Sequence, residues 1–165
     1  MTTEKKDTAR DQAQAQYKSI AAMIRRLIHA QECDGGEDCE ATDEEIITGN
    51  GYWYKEGQEV TEEDRENYHD EDAAREVIER DPLSIEVRSD WHAPGDEAPP
   101  DSFNILLCTG GPACRLLGDL DEHGTPTRVW MEYQDWGTPW TEYYGMTDEE
   151  RAALLIYAEQ FYFGE

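Results

Sequence analysis

Apolar residues recur at spacings of three and four along residues 7–32. Tyr17, Ile20, Ala21, Ile24, Leu27 and Ile28 form one stripe, and Gly35-Gly36 supplies a stop. That spacing predicts an amphipathic N-terminal helix. The pattern then lapses: residues 33–51 are acidic and turn-rich, end in Gly49-Asn50-Gly51, and hold one short apolar piece, Ile46-Ile47. Tyr52-Trp53-Tyr54 reads as a short strand or an aromatic plug. Thr61 and Asp64 have the shape of a capping box with Asp at its third position, so a helix is predicted from there. A second helical stretch, about 70–80, is ended by Pro82.

Beyond Pro82 the period changes to two. Leu83, Ile85 and Val87 alternate with Ser84, Glu86 and Arg88, the pattern of a half-buried strand. Residues 92–101, rich in Pro and acids, read as a loop. Strands follow at 103–109, 113–120 and 128–135, separated by Gly110-Gly111-Pro112 and by "DEHG" (121–124). Short connections between four consecutive strands predict an antiparallel meander over about 83–135. Thr147-x-x-Glu150 opens a C-terminal helix to 163, with Leu154, Leu155, Ala158, Phe161 and Tyr162 as its apolar stripe. The expected fold is α+β in a single domain, 1–165. It comprises a basic N-terminal helix (7–32), an acidic helical and turn region (33–81), the sheet (83–135) and the C-terminal helix (147–163).

Charge changes the picture more than size does. The 165 residues carry 39 acids against 14 Lys and Arg, a net −25. The excess is uneven: residues 1–30 have more bases than acids, whereas 25 of the acids fall in 32–101 with only five bases. Such a field repels nucleic acid and anionic membranes and attracts basic surfaces. Direct nucleic-acid or membrane binding is therefore not expected. The N-terminus is polar, without the pattern of a signal peptide, and no apolar run spans a bilayer, so the expected location is the cytoplasm. Five Trp, nine Tyr and three Phe supply enough apolar bulk for a core. Oligomeric state is not legible.

Little catalytic chemistry is visible. His29, His69, His92 and His123 are scattered, and no nucleophile elbow, metalloprotease motif, phosphate loop or dinucleotide fingerprint occurs. An enzyme is not expected, and neither is a cofactor. The alternative to that absence lies in the cysteines: "CDGGEDC" (33–39) and "CTGGPAC" (108–114) share the form Cys-x-Gly-Gly-x-x-Cys. With His29 one helical turn before Cys33, a tetrahedral zinc site could use His29, Cys33 and Cys39, with Cys108 or Cys114 as the fourth ligand. The plainer reading, glycine pairs for turns and thiols for packing, is preferred. "DLDEHG" (119–124) starts like a calcium loop but lacks the later ligand and the flanking helices, so it reads as a hairpin turn. In "VWMEYQDWGTPWTEYY" (129–144), Trp136 and Trp140 flank a Gly-Thr-Pro turn and are candidate anchors for a partner.

The acidic stretch Glu62–Asp81 holds ten carboxylates and three arginines. At about 1.5 Å rise per helical residue this is one carboxylate per roughly 3 Å, close to the ~3.4 Å phosphate spacing of one DNA strand. Halophilic acidification is a second explanation, contradicted by the basic first helix. A plainly solvated face is the third, since like charges four apart cost only about 0.2–0.5 kcal/mol per pair. Small size, extreme negative charge and no catalytic motif make the chain resemble the acidic antirestriction and anti-CRISPR proteins of phages and plasmids. The block "DPLSIEVRSDW…ILLCTGGPACRLLGDLDEHG…VWMEYQDWGTPWTEY" (81–143) is also similar to proteins of bacterial mobile elements to which no activity is attached. These resemblances imply a non-enzymatic DNA mimic that occupies the basic DNA-binding groove of a host defence complex. Its expected contact residues are Glu62, Glu63, Asp64, Glu66, Asp70, Glu71, Asp72, Glu76 and Glu79, with Trp136 and Trp140 as anchors. The alternatives are a small metal-binding or structural domain using the cysteines, and a halophilic acidic domain.

Overall fold

A computed structural model describes residues 8–164. The predicted helix start at Asp7 and the bases Lys5 and Lys6 lie outside the described residues. The chain divides into two compact units, one formed by the chain up to Tyr17 together with Pro82–Glu165 and the other by Lys18–Asp81. Helix α1 (Thr8–Glu32) contributes residues to both.

The first unit is α+β. Strands β1 (Ser84–Arg88), β2 (Ser102–Cys108), β3 (Ala113–Leu120), β4 (Pro126–Gln134) and β5 (Thr141–Glu142) form one antiparallel meander in sequence order. The predicted four strands are all present. The fifth is two residues long and pairs Thr141 with Tyr133 and Glu142 with Glu132. Alternation does its expected work on β2 and β3: Phe103, Ile105, Leu107, Cys114, Leu116 and Leu120 are buried, joined from β4 by Val129 and Met131. Phe103, Gly118 and Val129 lie side by side in register. A side chain on Gly118 would run into the Phe103 ring and the Arg128 carbonyl, so only glycine fits there.

Helix α5 (Asp148–Glu159) packs on β4 behind a capping box in which Thr147 and Glu150 cap each other's backbone N–H. It buries Leu154, Tyr157 and Ala158. The helix ends at Glu159, four residues short of the predicted limit. Beyond it the chain turns, so Tyr162 points into solvent while Phe163 stacks on Phe103 at 4.6 Å between ring centres. The expectation of a half-buried first strand fails as well. All five residues of β1 are exposed, because it is the sheet's edge strand and α5 packs on β4.

The second unit is helical. Helices α2 (Asp43–Gly49), α3 (Glu62–Tyr68) and α4 (Glu71–Arg80) follow α1 here, and the buried residues are Ile20, Met23, Ile24 and Leu27 of α1 with Ile46, Ile47, Tyr68, Ala74 and Ile78. Helix α2 falls in the region read as turns. Its signal was present, since Thr42 and Glu45 form a full capping box. The aromatic run 52–54 forms neither strand nor plug, and Trp53 is exposed.

Arg26 is fully buried in this unit. Its guanidinium donates to the Gly49 carbonyl at 3.2 Å and the Asn67 carbonyl at 2.7 Å, at the C-terminal ends of α2 and α3. Positive charge is favoured at helix C-termini. Burial still lowers the arginine's pKa, opposed mainly by the nearby Asp70 carboxylate.

Candidate metal centre

Four side chains converge within Lys18–Asp81. His29 lies on the last turn of α1, and the Cys33 N–H donates to the His29 carbonyl at 2.8 Å. This extends the helical ladder just far enough to bring the thiol back over the imidazole. The chain then reverses through Gly35, whose φ is +84°, and the Cys39 N–H closes on the Gly36 carbonyl at 3.0 Å. A Cβ on Gly35 would lie 3.3 Å from the His69 ring, so this position wants glycine for conformation and for space. His69 comes from the C-cap of α3.

The metal-binding atoms of His29, Cys33, Cys39 and His69 all lie within 4.8 Å of one another. The two Nε2 atoms are 3.0 Å apart, and Cys39 Sγ is 3.4 Å from His29 Nε2 and 3.3 Å from His69 Nε2. Bond lengths of about 2.0–2.1 Å for Zn–N and 2.3 Å for Zn–S give tetrahedral edges of about 3.3 Å between nitrogens and 3.6 Å between nitrogen and sulfur. The separations among His29, Cys39 and His69 match that frame with adjustments of a few tenths of an ångström, and Cys33 Sγ lies within 4.8 Å of the other three ligand atoms.

The protonation pattern suits a metal as well. His69 Nδ1 sits 2.7 Å from the Arg65 carbonyl, an acceptor only, so Nδ1 carries the hydrogen and Nε2 presents its lone pair to the cluster. Burial lowers the pKa of His29, and its neighbour His69 lowers it further, both favouring the neutral, ligating imidazole. The fully buried Tyr68 ring lies 5.2 Å from His29 and 5.5 Å from His69 and walls one side. All four ligand residues are half-buried.

Of the sequence candidates, His29, Cys33 and Cys39 come together; Cys108 and Cys114 do not join them. Those two face each other in register across β2 and β3, in the other unit. Cys114 is buried and Cys108 half-buried, and burial pushes both thiols above their ordinary pKa, Cys114 the further. The fourth member of the cluster is His69. It lies thirty residues beyond Cys39, with no spacing motif to announce it. The only sign was a lone histidine at the seam between two short helices.

The predicted docking carboxylates divide into two sets. Asp64 caps the Thr61 N–H, Asp70 caps the Ala73 N–H, Glu71 accepts from Arg75 and Gln31, and Glu76 pairs with Arg80. Glu62, Glu63, Glu66, Asp72 and Glu79 are exposed and make no hydrogen bond or ion pair among the described residues. Helices α3 and α4 are separate, as the capping signals implied, and α4 turns Ala74 and Ile78 inward. Of the two tryptophan anchors, Trp136 is exposed. Trp140 instead covers the Arg115 guanidinium at 4.0 Å, which in turn binds Glu132 at 2.7 Å. The "DLDEHG" turn is held by Asp121, whose Oδ1 accepts from the His123 and Thr125 N–H groups, so that carboxylate is occupied by its own hairpin.

No family model matches the chain, and neither does any curated protein or solved structure. No helix among the described residues is long and apolar enough to cross a membrane.

Proposed function

We propose that the protein is a non-enzymatic zinc-binding protein in which His29, Cys33, Cys39 and His69 hold one Zn²⁺ as the organising centre of Lys18–Asp81. A single observation carries this: two thiols and two imidazoles, drawn from α1, its following loop and the C-cap of α3, converge within 4.8 Å, three of them at near-tetrahedral spacing. Paired sulfur and nitrogen donors suit zinc better than the hard cations calcium or magnesium, which take oxygen. Four protein ligands fill the tetrahedron and leave no open position for substrate, the mark of a structural site. Such a centre also suits the unit's size. The unit spans only 64 residues and has a small core, the size at which a metal commonly supplements apolar burial.

Protein purified without chelator and without a metal-affinity step is expected to carry one equivalent of zinc. Replacement by Co²⁺ is expected to give the intense visible absorption of a tetrahedral thiolate site. Metal-free protein together with a weak, octahedral cobalt spectrum would overturn the assignment.

A second reading is favoured by the five exposed, unpaired carboxylates on α3 and α4. In it the acidic surface docks on the basic groove of a nucleic-acid-binding defence complex, such as a CRISPR–Cas or restriction enzyme. Retention of a basic partner from bacterial lysate at low salt, lost at high salt, is the expected result. Retention of no such partner at low salt would end that reading.

A further inference from the structure

We propose that Cys33 and Cys39 are a peroxide-sensitive pair, joined by oxidation into a disulfide that expels the metal. This rests on the zinc site proposed above and adds how its occupancy is controlled.

Three observations carry it. First, the two sulfurs lie within 4.8 Å of each other, across a short glycine-bearing segment, against the ~2.05 Å of a disulfide. Between the cysteines the chain is turn and coil, contains Gly35 and Gly36, and is tied internally by the Cys39–Gly36 backbone bond and by Asp34 accepting from the Gly36 N–H. Second, Cys33 and Cys39 line one solvent-open cleft of about 630 Å³, shared with Gln31, Glu32, Glu37 and Asp38, so a small oxidant reaches both. Third, the ligands fall into two classes of rigidity. His29 is on a long helix, Cys33 is tied to it by the bond from its N–H to the His29 carbonyl, and His69 is fixed by its bond to the Arg65 carbonyl. Cys39, by contrast, lies beyond the Gly35-Gly36 turn and is the ligand placed to swing toward Cys33. Withdrawing the cysteines leaves two imidazoles, too few to retain zinc.

The remaining thiols do not compete. Cys114 is buried, and burial holds both Cys108 and Cys114 in the unreactive protonated form. Zinc, by contrast, holds its cysteines as thiolates.

The oxidant is hydrogen peroxide. One bound thiolate attacks a peroxide oxygen and the O–O bond breaks. The sulfur becomes a sulfenic acid, and the departing hydroxide takes a solvent proton to form water. The second thiolate then attacks that sulfur. The S–O bond breaks, the S–S bond forms, and the leaving hydroxide is protonated to a second water. Two electrons pass from the sulfurs to the peroxide, and the zinc leaves with its charge unchanged.

The test begins with full-length protein loaded with one equivalent of zinc. Hydrogen peroxide is added stepwise, released zinc is read with a chromogenic chelator, and the cysteines are mapped by peptide mass spectrometry. Zinc release is expected to track a Cys33–Cys39 disulfide in a one-to-one ratio, and a dithiol plus zinc is expected to restore the site. The Cys108→Ser/Cys114→Ala variant should match the wild type. Cys33→Ser, loaded at saturating zinc, should stop at a sulfenic acid on Cys39 that a dimedone probe traps. Zinc retention under peroxide, sulfinic or sulfonic acid in place of the disulfide, or a bridge to Cys108 would each overturn the proposal and leave the zinc site standing. A protein that takes up no zinc at the outset refutes the site, and this proposal with it.

Discussion

Two segments of this chain are written alike and folded to opposite ends. Both read Cys-x-Gly-Gly-x-x-Cys. In the acidic unit, the segment follows a helix whose last turn carries His29, and its thiols are half-buried beside two imidazoles. In the sheet unit, the segment is the hairpin between β2 and β3; its cysteines are cross-strand neighbours and Cys114 packs in the core. The glycines serve turns in both. What separates the proposed metal centre from a packing pair is the company: among the described residues only the first has imidazole nitrogens within reach. A cysteine spacing is therefore half a motif, and the surrounding fold supplies the rest.

Replacement of ligands should break the symmetry most sharply. Cys39→Ser or His69→Ala is expected to lower zinc affinity by more than about 100-fold, the upper end of losses seen when only an outer-shell partner is removed. Cys108→Ser/Cys114→Ala should leave one zinc per chain; competition titration reads both. Next comes the sheet unit's own tight spot. Gly118→Ala, forced against Phe103 and the Arg128 carbonyl, should cost about 3 kcal/mol of unfolding free energy with zinc stoichiometry unchanged.

Acidity gives a smaller contrast. His29 is held below its ordinary pKa, so the unfolded chain takes up this proton first as pH falls. Metal-free protein should keep this contribution above about pH 6.5 and lose it as pH drops through the lower folded value. Urea midpoints at pH 7.5 and 5.5 should show that component in the wild type and not in His29→Gln. Last, Glu62→Gln/Glu63→Gln/Glu66→Gln should shift stability by no more than about 0.5 kcal/mol per site and leave zinc binding alone. A large loss of either would mean these carboxylates are not the free surface described above.

The sheet was legible because period-two alternation and glycine-bearing turns are local signals, and Phe103–Leu107 and Ala113–Leu120 carry them plainly. Helices α3 and α5 announced themselves through Thr61 and Thr147. Helix α2 carried the same kind of sign at Thr42–Glu45, masked by the surrounding acids and glycines. Three of the four cluster residues could be named because helical spacing ties His29 to Cys33 and the glycine pair ties Cys33 to Cys39. His69 could not. Its place depends on α3 docking through Tyr68, and on the buried Arg26 holding the Asn67 carbonyl two residues upstream. Both are tertiary events that no local pattern records. The acidic run shows a second limit of local reading: composition marks ten carboxylates alike, while Asp64, Asp70, Glu71 and Glu76 are also engaged in caps and local pairs.

The spread of the ligands along the chain bears on the order of folding. Residues 29, 33 and 39 are near neighbours in sequence, and a metal ion can gather them before any distant contact exists. His69 must then be captured across a thirty-residue loop. The entropic cost of closing a loop grows only with the logarithm of its length. A metal already seated on the first three ligands turns that closure into a search with a fixed target. Zinc should therefore speed the arrival of α3 as well as secure it afterwards, with refolding of the acidic unit faster when the ion is present from the start than when it is added last.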